Sequence, residues 1–218
     1  MDGIICHVGQ RNLWGPSTFS IRPGVTVVNG PSGSGKTTLL EVLAGIRQPS
    51  GGGIFYEGRR LAPGSLAQYR AIRGFCPAVL WNAPAMTAGA ALQWAAALWE
   101  VARPSAAIAR EVARWRLEDV FRQRIGNLSA GYQRRVLLAA SLVMRPTIWI
   151  VDRPYEALDL EGRVVVQTVL AGVLSGRHGP EWPRLALLAD AAPQDLPAPL
   201  AVTTRLRGSS ITIGRLGN

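Results

Sequence analysis

The sequence predicts an α/β fold with a parallel sheet, because three features occur together along the chain. A short β-branched segment, 25–29, leads into a glycine-rich loop that ends at Thr37. Candidate strands then alternate with candidate helices, a pattern typical of a parallel sheet covered by helices. A mainly helical block at about 80–145 precedes a strongly apolar strand. We therefore expect one domain, 1–218, with a helical subdomain inserted near 80–145.

The first third of the chain is expected to contain short strands and the loop with its helix. Residues 25–29 are short and β-branched, as in a buried strand, and residues 38–46 carry leucines and valine for a core-facing helix. Three glycines at 51–53 are expected to break the chain before a strand at 54–56. A further candidate strand covers 75–79.

In the rest of the chain, the residue pattern predicts alternating helices and strands with a terminal hairpin. Pro104 suits the first turn of a helix, and Pro146 ends another. Three prolines within 193–199 favour a loop. The predicted helices are 90–101, 104–115, 132–144 and 160–174, the predicted strands are 147–151 and 185–189, and the predicted hairpin is 202–213.

Composition favours a packed domain without a membrane span. The 218 residues are 48% hydrophobic with a net charge of +10, which argues against disorder. Cys6 and Cys76 lack metal-like spacing, so a reduced cytosolic compartment is expected. Basic residues do not cluster with aromatic ones, so we expect no nucleic-acid partner. The uncharged stretch 74–99 contains prolines and polar residues, and it suits a surface that meets another apolar protein.

The only lysine of the chain, Lys36, lies in a phosphate-binding loop. The other 23 basic residues are arginines, which indicates that a compact ammonium is needed at this place. Residues 30–37 fit G-x-x-x-x-G-K-[ST], in which backbone N–H groups and the lysine hold phosphates and the last hydroxyl binds Mg²⁺. A chance glycine turn is the alternative, but a strand precedes the loop and a helix follows it. The predicted ATP-binding residues are Gly30, Ser32, Gly33, Ser34, Gly35, Lys36, Thr37 and Thr38.

Two later segments add to this site. Asp152 closes the apolar strand and is predicted to hold Mg²⁺ together with Thr37; a carboxylate that caps the next turn is the alternative. Residues 128–135 open a basic helix with a small polar turn. Ser129 and the Gly131 amide suit an anion at this helix N-terminus, and Ser129 equally suits an N-cap.

These motifs occur in the order found in ATP-binding subunits of ABC transporters, which the chain resembles over nearly its whole length. Residues 128–131 resemble the signature motif and 157–159 the D-loop. Within that family, 128–136 and 194–197 are most similar to the haem-export ATP-binding subunit of bacterial cytochrome c maturation.

The resemblance implies the phosphate-loop fold of ABC ATPases with a small N-terminal antiparallel β-region. It also implies ATP and Mg²⁺ as cofactors and integral-membrane permease subunits as partners. It also implies a homodimer or heterodimer of ATP-binding subunits, in which Ser129 and Gly131 contact ATP bound to the other subunit. The expected location is peripheral, on the cytoplasmic face of the inner membrane.

Departures from the family pattern concern hydrolysis. Arg153 stands where the family has a glutamate that polarises water, and arginine cannot act as a base. Neither histidine matches the family's switch histidine; Pro193 or Asp190 takes that place. Val79 replaces a glutamine, and Tyr132 replaces the signature glutamine. We expect weak or absent hydrolysis, with Arg153 pairing with the γ-phosphate; the alternative is a catalytically inactive structural or regulatory subunit of a membrane complex.

Tryptophans offer two further interpretations. Trp14 is a candidate for stacking on adenine, and an equally good candidate for the core of the small β-region. Trp81, Trp94 and Trp99 suit a helical core, with contact to a membrane partner as the alternative.

Overall fold

A computed structural model describes residues 1–8, 11–79, 83–176, 182–190, 196 and 200–216, and it confirms the α/β fold. The strands are β1 Asp2–Val8, β2 Arg11–Ser17, β3 Gly24–Asn29, β4 Gly51–Gly53, β5 Phe55–Tyr56, β6 Arg59–Arg60, β7 Arg73–Cys76, β8 Ile148–Asp152, β9 Leu185–Ala189, β10 Leu200–Arg205 and β11 Thr212–Leu216. The helices are α1 Lys36–Leu43, α2 Pro63–Ala71, α3 Ala88–Leu98, α4 Pro104–Trp115, α5 Ala130–Leu142 and α6 Leu160–Leu174, with 3₁₀ turns at Glu118–Val120 and Ile125–Asn127.

The central sheet has six strands in the order β10-β11-β3-β9-β8-β7. Strands β3, β9, β8 and β7 run parallel, so their carboxyl ends meet at one edge, where Asp152 pairs with Ala189. All five residues of β8 are buried, as expected for a strand covered on both faces. This edge is where open parallel sheets place their ligands.

The N-terminal β-region is an antiparallel sheet in the order β2-β1-β4. The predicted break at 51–53 is wrong, because these three glycines form strand β4 against β1. Glycine is needed there for close approach: a Cβ on Gly52 would lie 2.3 Å from the carbonyl oxygen of Gly3.

The helical block consists of α3, α4 and α5, which pack around apolar residues that include Leu92, Trp115 and Leu138. Helix α3 begins two residues before its predicted start, because the Thr87 hydroxyl accepts a hydrogen bond from the Ala90 N–H at 3.1 Å and caps it.

Several boundaries shift for local reasons. Helix α1 ends before residue 46, since Gly45 has a left-handed backbone with φ of 66°. Strand β7 covers Arg73–Cys76 instead of 75–79, because Pro77 follows it. Helix α2 was not predicted, whereas α4, α6 and β9 have their predicted bounds. The terminal hairpin is present as β10 and β11.

Three residues that the sequence singled out, Trp81, His178 and Pro193, lie outside the described residues. None of the helices in the described parts of the chain has the length and hydrophobicity of a membrane-spanning segment.

Arg134 connects the helical block to the carboxyl edge of the sheet. Its side chain is buried, with a relative exposure of 1%. The guanidinium donates to the carbonyl oxygens of Pro77 at 2.6 Å, Asp152 at 2.5 Å and Arg153 at 2.8 Å. Helix α5 is thereby bonded to the chain just beyond β7 and at the end of β8.

We predict that Arg134→Met destabilises the fold by about 2–4 kcal/mol, because it leaves three carbonyl groups without their donor. Urea unfolding should show a lower midpoint. Arg122→Met, at an exposed position, is the matched control and should change the midpoint little. Equal midpoints for the two variants would contradict a structural role for Arg134.

Candidate functional site

A cavity of about 290 Å³ opens at the carboxyl edge of the sheet, beside the phosphate loop. It contains most of the predicted phosphate-binding residues together with Arg153, and it adds Val8, Leu13 and Asp190. The lining residues are Val8, Leu13, Ser32, Gly33, Gly35, Lys36, Thr37, Thr38, Arg153 and Asp190.

The loop has the backbone that phosphate binding needs. Gly33 and Gly35 have φ values of 74° and 97°, a region that side chains disfavour. Gly35 precedes α1, and no side chain in the described parts of the chain caps that helix, so its first N–H groups are available to an anion. Gly30 and Ser34 shape the loop without lining the cavity: the Ser34 N–H donates to the Pro31 carbonyl at 3.2 Å.

Lys36 is held in place by three oxygen atoms. Its Nζ donates to the carbonyl oxygens of Gly30 at 2.7 Å and Pro31 at 2.8 Å. The same Nζ lies 3.1 Å from Asp190 Oδ1, and the side chain is only 5% exposed. The Lys36 ammonium, which is predicted to bind phosphate, is therefore hydrogen-bonded to the loop and ion-paired with Asp190, which follows β9.

Thr37 and Asp152 meet as predicted, although 115 residues separate them in the sequence. The Thr37 hydroxyl donates to Asp152 Oδ2 at 2.6 Å. Asp152 is fully buried, and its Oδ1 has no hydrogen-bond partner within the described ranges. Burial raises the pKa of this carboxyl above its usual range, and the Thr37 hydrogen bond opposes that rise. An unpaired carboxylate oxygen beside a hydroxyl suits Mg²⁺, which prefers oxygen ligands.

Arg153 directly follows β8 and lines the same cavity. Its backbone is left-handed, with φ of 51°, and its side chain is 45% exposed. Nη1 lies 3.2 Å from Glu156 Oε1, and Nε lies 3.7 Å from Asp190 Oδ2. The cavity therefore has a second cation, Arg153, at the position where the family pattern has a glutamate.

Trp14 does not line the cavity, which corrects its assignment to adenine stacking. Its side chain is fully buried in the core. The indole lies behind the loop, since a Cβ on Gly35 would stand 3.2 Å from its Nε1. The alternative interpretation, a core tryptophan, describes this residue. Val8 and Leu13 form the apolar wall instead, and their only sequence signal is an apolar side chain on a strand before the loop.

Ser129 acts as the N-cap of α5, which was one of its two interpretations. Its hydroxyl accepts from the Tyr132 N–H at 3.4 Å. Neither Ser129 nor Gly131 lines the cavity of the phosphate loop. Gly131 instead packs near the D-loop, where a Cβ would lie 3.1 Å from the Ala157 carbonyl oxygen.

Arg135 joins the signature helix to the D-loop. It donates a short hydrogen bond to Asp159, which caps α6 by accepting from the Gly162 N–H at 3.0 Å. The Arg135 guanidinium holds the pKa of Asp159 below its usual range.

The position of the family's switch histidine also falls at this edge of the sheet. His7 lies on β1 and does not line the cavity, whereas Asp190, one of two candidates for that position, follows β9 and does. Val79 is 78% exposed just beyond Pro77.

Comparisons with known proteins identify a family and several similar proteins. The family model of the ABC transporter matches residues 15–156. The cytochrome c biogenesis ATP-binding export protein CcmA of Pseudomonas putida is 36% identical over 178 residues, which cover 78% of this chain and 80% of that protein. The Fe(3+) ions import ATP-binding protein FbpC 3 of Rhodococcus jostii is 34% identical, and the match spans 80% of this chain but only 51% of that protein. A dimeric, post-hydrolysis ATP-binding cassette bound to ADP and Pi superposes with a TM-score of 0.74 at 20% identity, covering 89% of this chain and 88% of that one.

We predict that Asp152→Asn stabilises the ligand-free fold at neutral pH. The raised pKa means that the folded chain disfavours the ionised carboxylate, so above the folded-state pKa the carboxylate lowers stability. The gain in Tm at pH 7 should shrink as the pH falls toward the ordinary value of 3.8. The same variant should weaken Mg²⁺-dependent nucleotide binding roughly tenfold or more.

Thermal unfolding from pH 4 to 7, with Asp119→Asn as the control at an exposed position, measures the stability change. A lower Tm for Asp152→Asn at pH 7 would show that the buried carboxylate stabilises the fold.

Proposed function

This chain belongs to the ABC transporter family as an ATP-binding subunit, and we propose that it serves a cytochrome c biogenesis export complex with weak or absent hydrolysis of its own. The cytochrome c assignment is supported by the names of its relatives, five of the most similar being CcmA proteins at 32–36% identity. The assignment of weak hydrolysis is supported by the presence of Arg153 in the cavity lining.

The observation that carries the proposal is the pairing of an intact phosphate loop with Arg153. Lys36, the free N–H groups of α1 and the Thr37–Asp152 pair supply what binding needs. Mg²⁺, when bound by Thr37 and Asp152, would neutralise phosphate charge. A hydrolytic water also needs a proton acceptor, and a guanidinium cannot provide one. Loss of a general base lowers the rate by roughly 10²–10⁴.

A second ATP-binding subunit is part of the proposal. Ser129 is exposed and lies outside its own chain's cavity, so it is available to ATP bound by another copy or by a different subunit. Similar solved structures include dimeric cassettes, which supports such an assembly. The Arg135–Asp159 pair would keep the signature turn and the D-loop in fixed relation at that interface.

A permease surface is proposed on the helical block. Trp94 and Leu98 are 52% and 58% exposed, and a contiguous group of exposed apolar side chains marks protein interaction sites. Trp94 and Leu98 are four residues apart on α3, so they share one face of that helix. Contact of this surface with permease subunits would place the chain peripherally at the cytoplasmic face of the inner membrane.

The second candidate function is a nucleotide-binding structural or regulatory subunit that does not hydrolyse ATP. Arg153 favours it, because a second cation beside Lys36 would hold a nucleotide without activating water. ATP would then stabilise the closed assembly by mass action. ATP turnover by the purified membrane complex distinguishes the two functions: turnover that Lys36→Ala abolishes supports the transporter, and tight ATP binding without turnover supports the regulatory subunit.

We predict that Lys36→Ala weakens ATP binding by roughly 10–100-fold, because a charge-assisted phosphate contact is lost. Titration calorimetry with MgATP measures the effect. Arg122→Ala removes one positive charge from an exposed position outside the cavity and should change the affinity little. Equal affinities for the wild type and Lys36→Ala would contradict nucleotide binding at this loop.

We predict that the isolated chain hydrolyses bound ATP no faster than about one hundredth of the rate of a base-containing site. Phosphate release under saturating MgATP is the measurement, with Lys36→Ala as the background. Turnover well above that background in the chain alone would contradict the assignment of weak hydrolysis.

A further inference from the structure

Asp190 lies beside Arg153 at the ends of neighbouring strands. Asp152 pairs with Ala189, so the residues that follow them, Arg153 and Asp190, are side by side at the edge of the sheet. Both have left-handed backbones, with φ of 51° and 57°. The Arg153 N–H donates to the Ala189 carbonyl at 2.9 Å, and the Asp190 N–H donates to the Val28 carbonyl at 3.2 Å. Such backbones are uncommon outside glycine and gather at functional sites.

The Asp190 carboxylate is shared between the two cations of the cavity. Its Oδ1 lies 3.1 Å from Lys36 Nζ, and its Oδ2 lies 3.7 Å from Arg153 Nε. Lys36 is 5% exposed and Asp190 34% exposed, so water screens the first pair only in part. The remaining oxygen partners of Nζ are the loop carbonyls of Gly30 and Pro31.

A terminal phosphate that binds Lys36 would occupy the same position beside Nζ as the Asp190 carboxylate does now. Lysine in this loop reaches the β- and γ-phosphates, so a γ-phosphate oxygen would compete with Asp190 Oδ1 for the same Nζ. A γ-phosphate also brings further negative charge close to the carboxylate, which like-charge repulsion disfavours. A diphosphate lacks that group, so it would compete with Asp190 for Nζ through its β-phosphate alone.

We propose that Asp190 occupies the position of a γ-phosphate on Lys36 and thereby makes the site discriminate between a nucleoside diphosphate and a triphosphate. Arg153 is the second cation that Asp190 contacts. When a triphosphate enters, Asp190 leaves Lys36 and is neutralised by Arg153, whose Nε is already 3.7 Å away. This inference rests on the proposed binding of a nucleotide at the loop. It gives Arg153 a role in addition to its contact with phosphate.

The pairing has a consequence for the residue at position 153. A glutamate there would put a third carboxylate beside Asp152 and Asp190, with Lys36 as the one cation of the cavity lining among the described residues. Arg153→Glu alone should therefore lose affinity for ATP instead of gaining hydrolysis. Neutralising Asp190 in the same chain should reverse much of that loss.

The test compares ATP with ADP on one protein at a time, by titration calorimetry of the full chain with Mg²⁺. Asp190→Asn should raise the affinity for ATP relative to ADP by roughly fivefold, an effect expected for a half-buried ion pair. The ratio of the two constants is unaffected by the fraction of folded protein. Asp119→Asn makes the same chemical change at an exposed position away from the cavity and should leave the ratio unchanged.

A double-mutant cycle tests the partnership with Arg153. Arg153→Glu should lower the ATP affinity more than the ADP affinity, and Arg153→Glu with Asp190→Asn should recover most of the difference. Additive effects of the two substitutions, or an unchanged ATP/ADP ratio in Asp190→Asn, would overturn the inference while ADP binding upholds the proposed function. Binding of neither nucleotide to the wild type or to Asp190→Asn would overturn both.

Discussion

The buried guanidinium of Arg134 is the interaction on which the geometry of the nucleotide site depends. It belongs to the signature helix, yet its three acceptors are carbonyls just beyond β7 and around the end of β8. Two of them belong to Asp152 and Arg153, whose side chains are the proposed Mg²⁺ ligand and the second cation of the cavity. A displacement of α5 therefore acts directly on the strand end that carries these groups. The helical block and the sheet are joined at the place where the chemistry would occur.

The site combines two arrangements of charge at one edge of the sheet. Toward the loop, Lys36 and the Thr37–Asp152 pair follow the usual pattern of a phosphate site. Toward β9, the cavity is lined by the Asp190 carboxylate and the Arg153 guanidinium, whose Oδ2 and Nε atoms are 3.7 Å apart. Asp190 contacts both Lys36 and Arg153, so it links the two cations of the cavity electrostatically. If Asp190 discriminates between nucleotides as proposed, binding and discrimination would be properties of the same small network.

Local sequence signals predicted the elements that depend on local chemistry. Proline at the start of α4 defines a helix whose predicted bounds match the structure, and α6 also has its predicted bounds. Helix α2 was missed because its residues carry little apolar periodicity and only Tyr69 is buried. The burial of Trp14 depends on how closely Gly35 approaches it, which is tertiary information. The same holds for the Lys36–Asp190 pair: an aspartate after an apolar strand was visible in the sequence, but the strand order that brings it to the loop was not.

Lys36 also gives the molecule an unusual surface chemistry. Every other basic side chain among the 24 is a guanidinium, and the one side-chain amine is only 5% exposed and paired with Asp190. Acylating reagents that label lysines across most proteins would therefore have a single side-chain target here, inside the phosphate loop. The extent of its modification reports how often the amine leaves its oxygen partners. An arginine-rich surface thus turns an ordinary protein-labelling reaction into a site-selective probe of loop opening and occupancy.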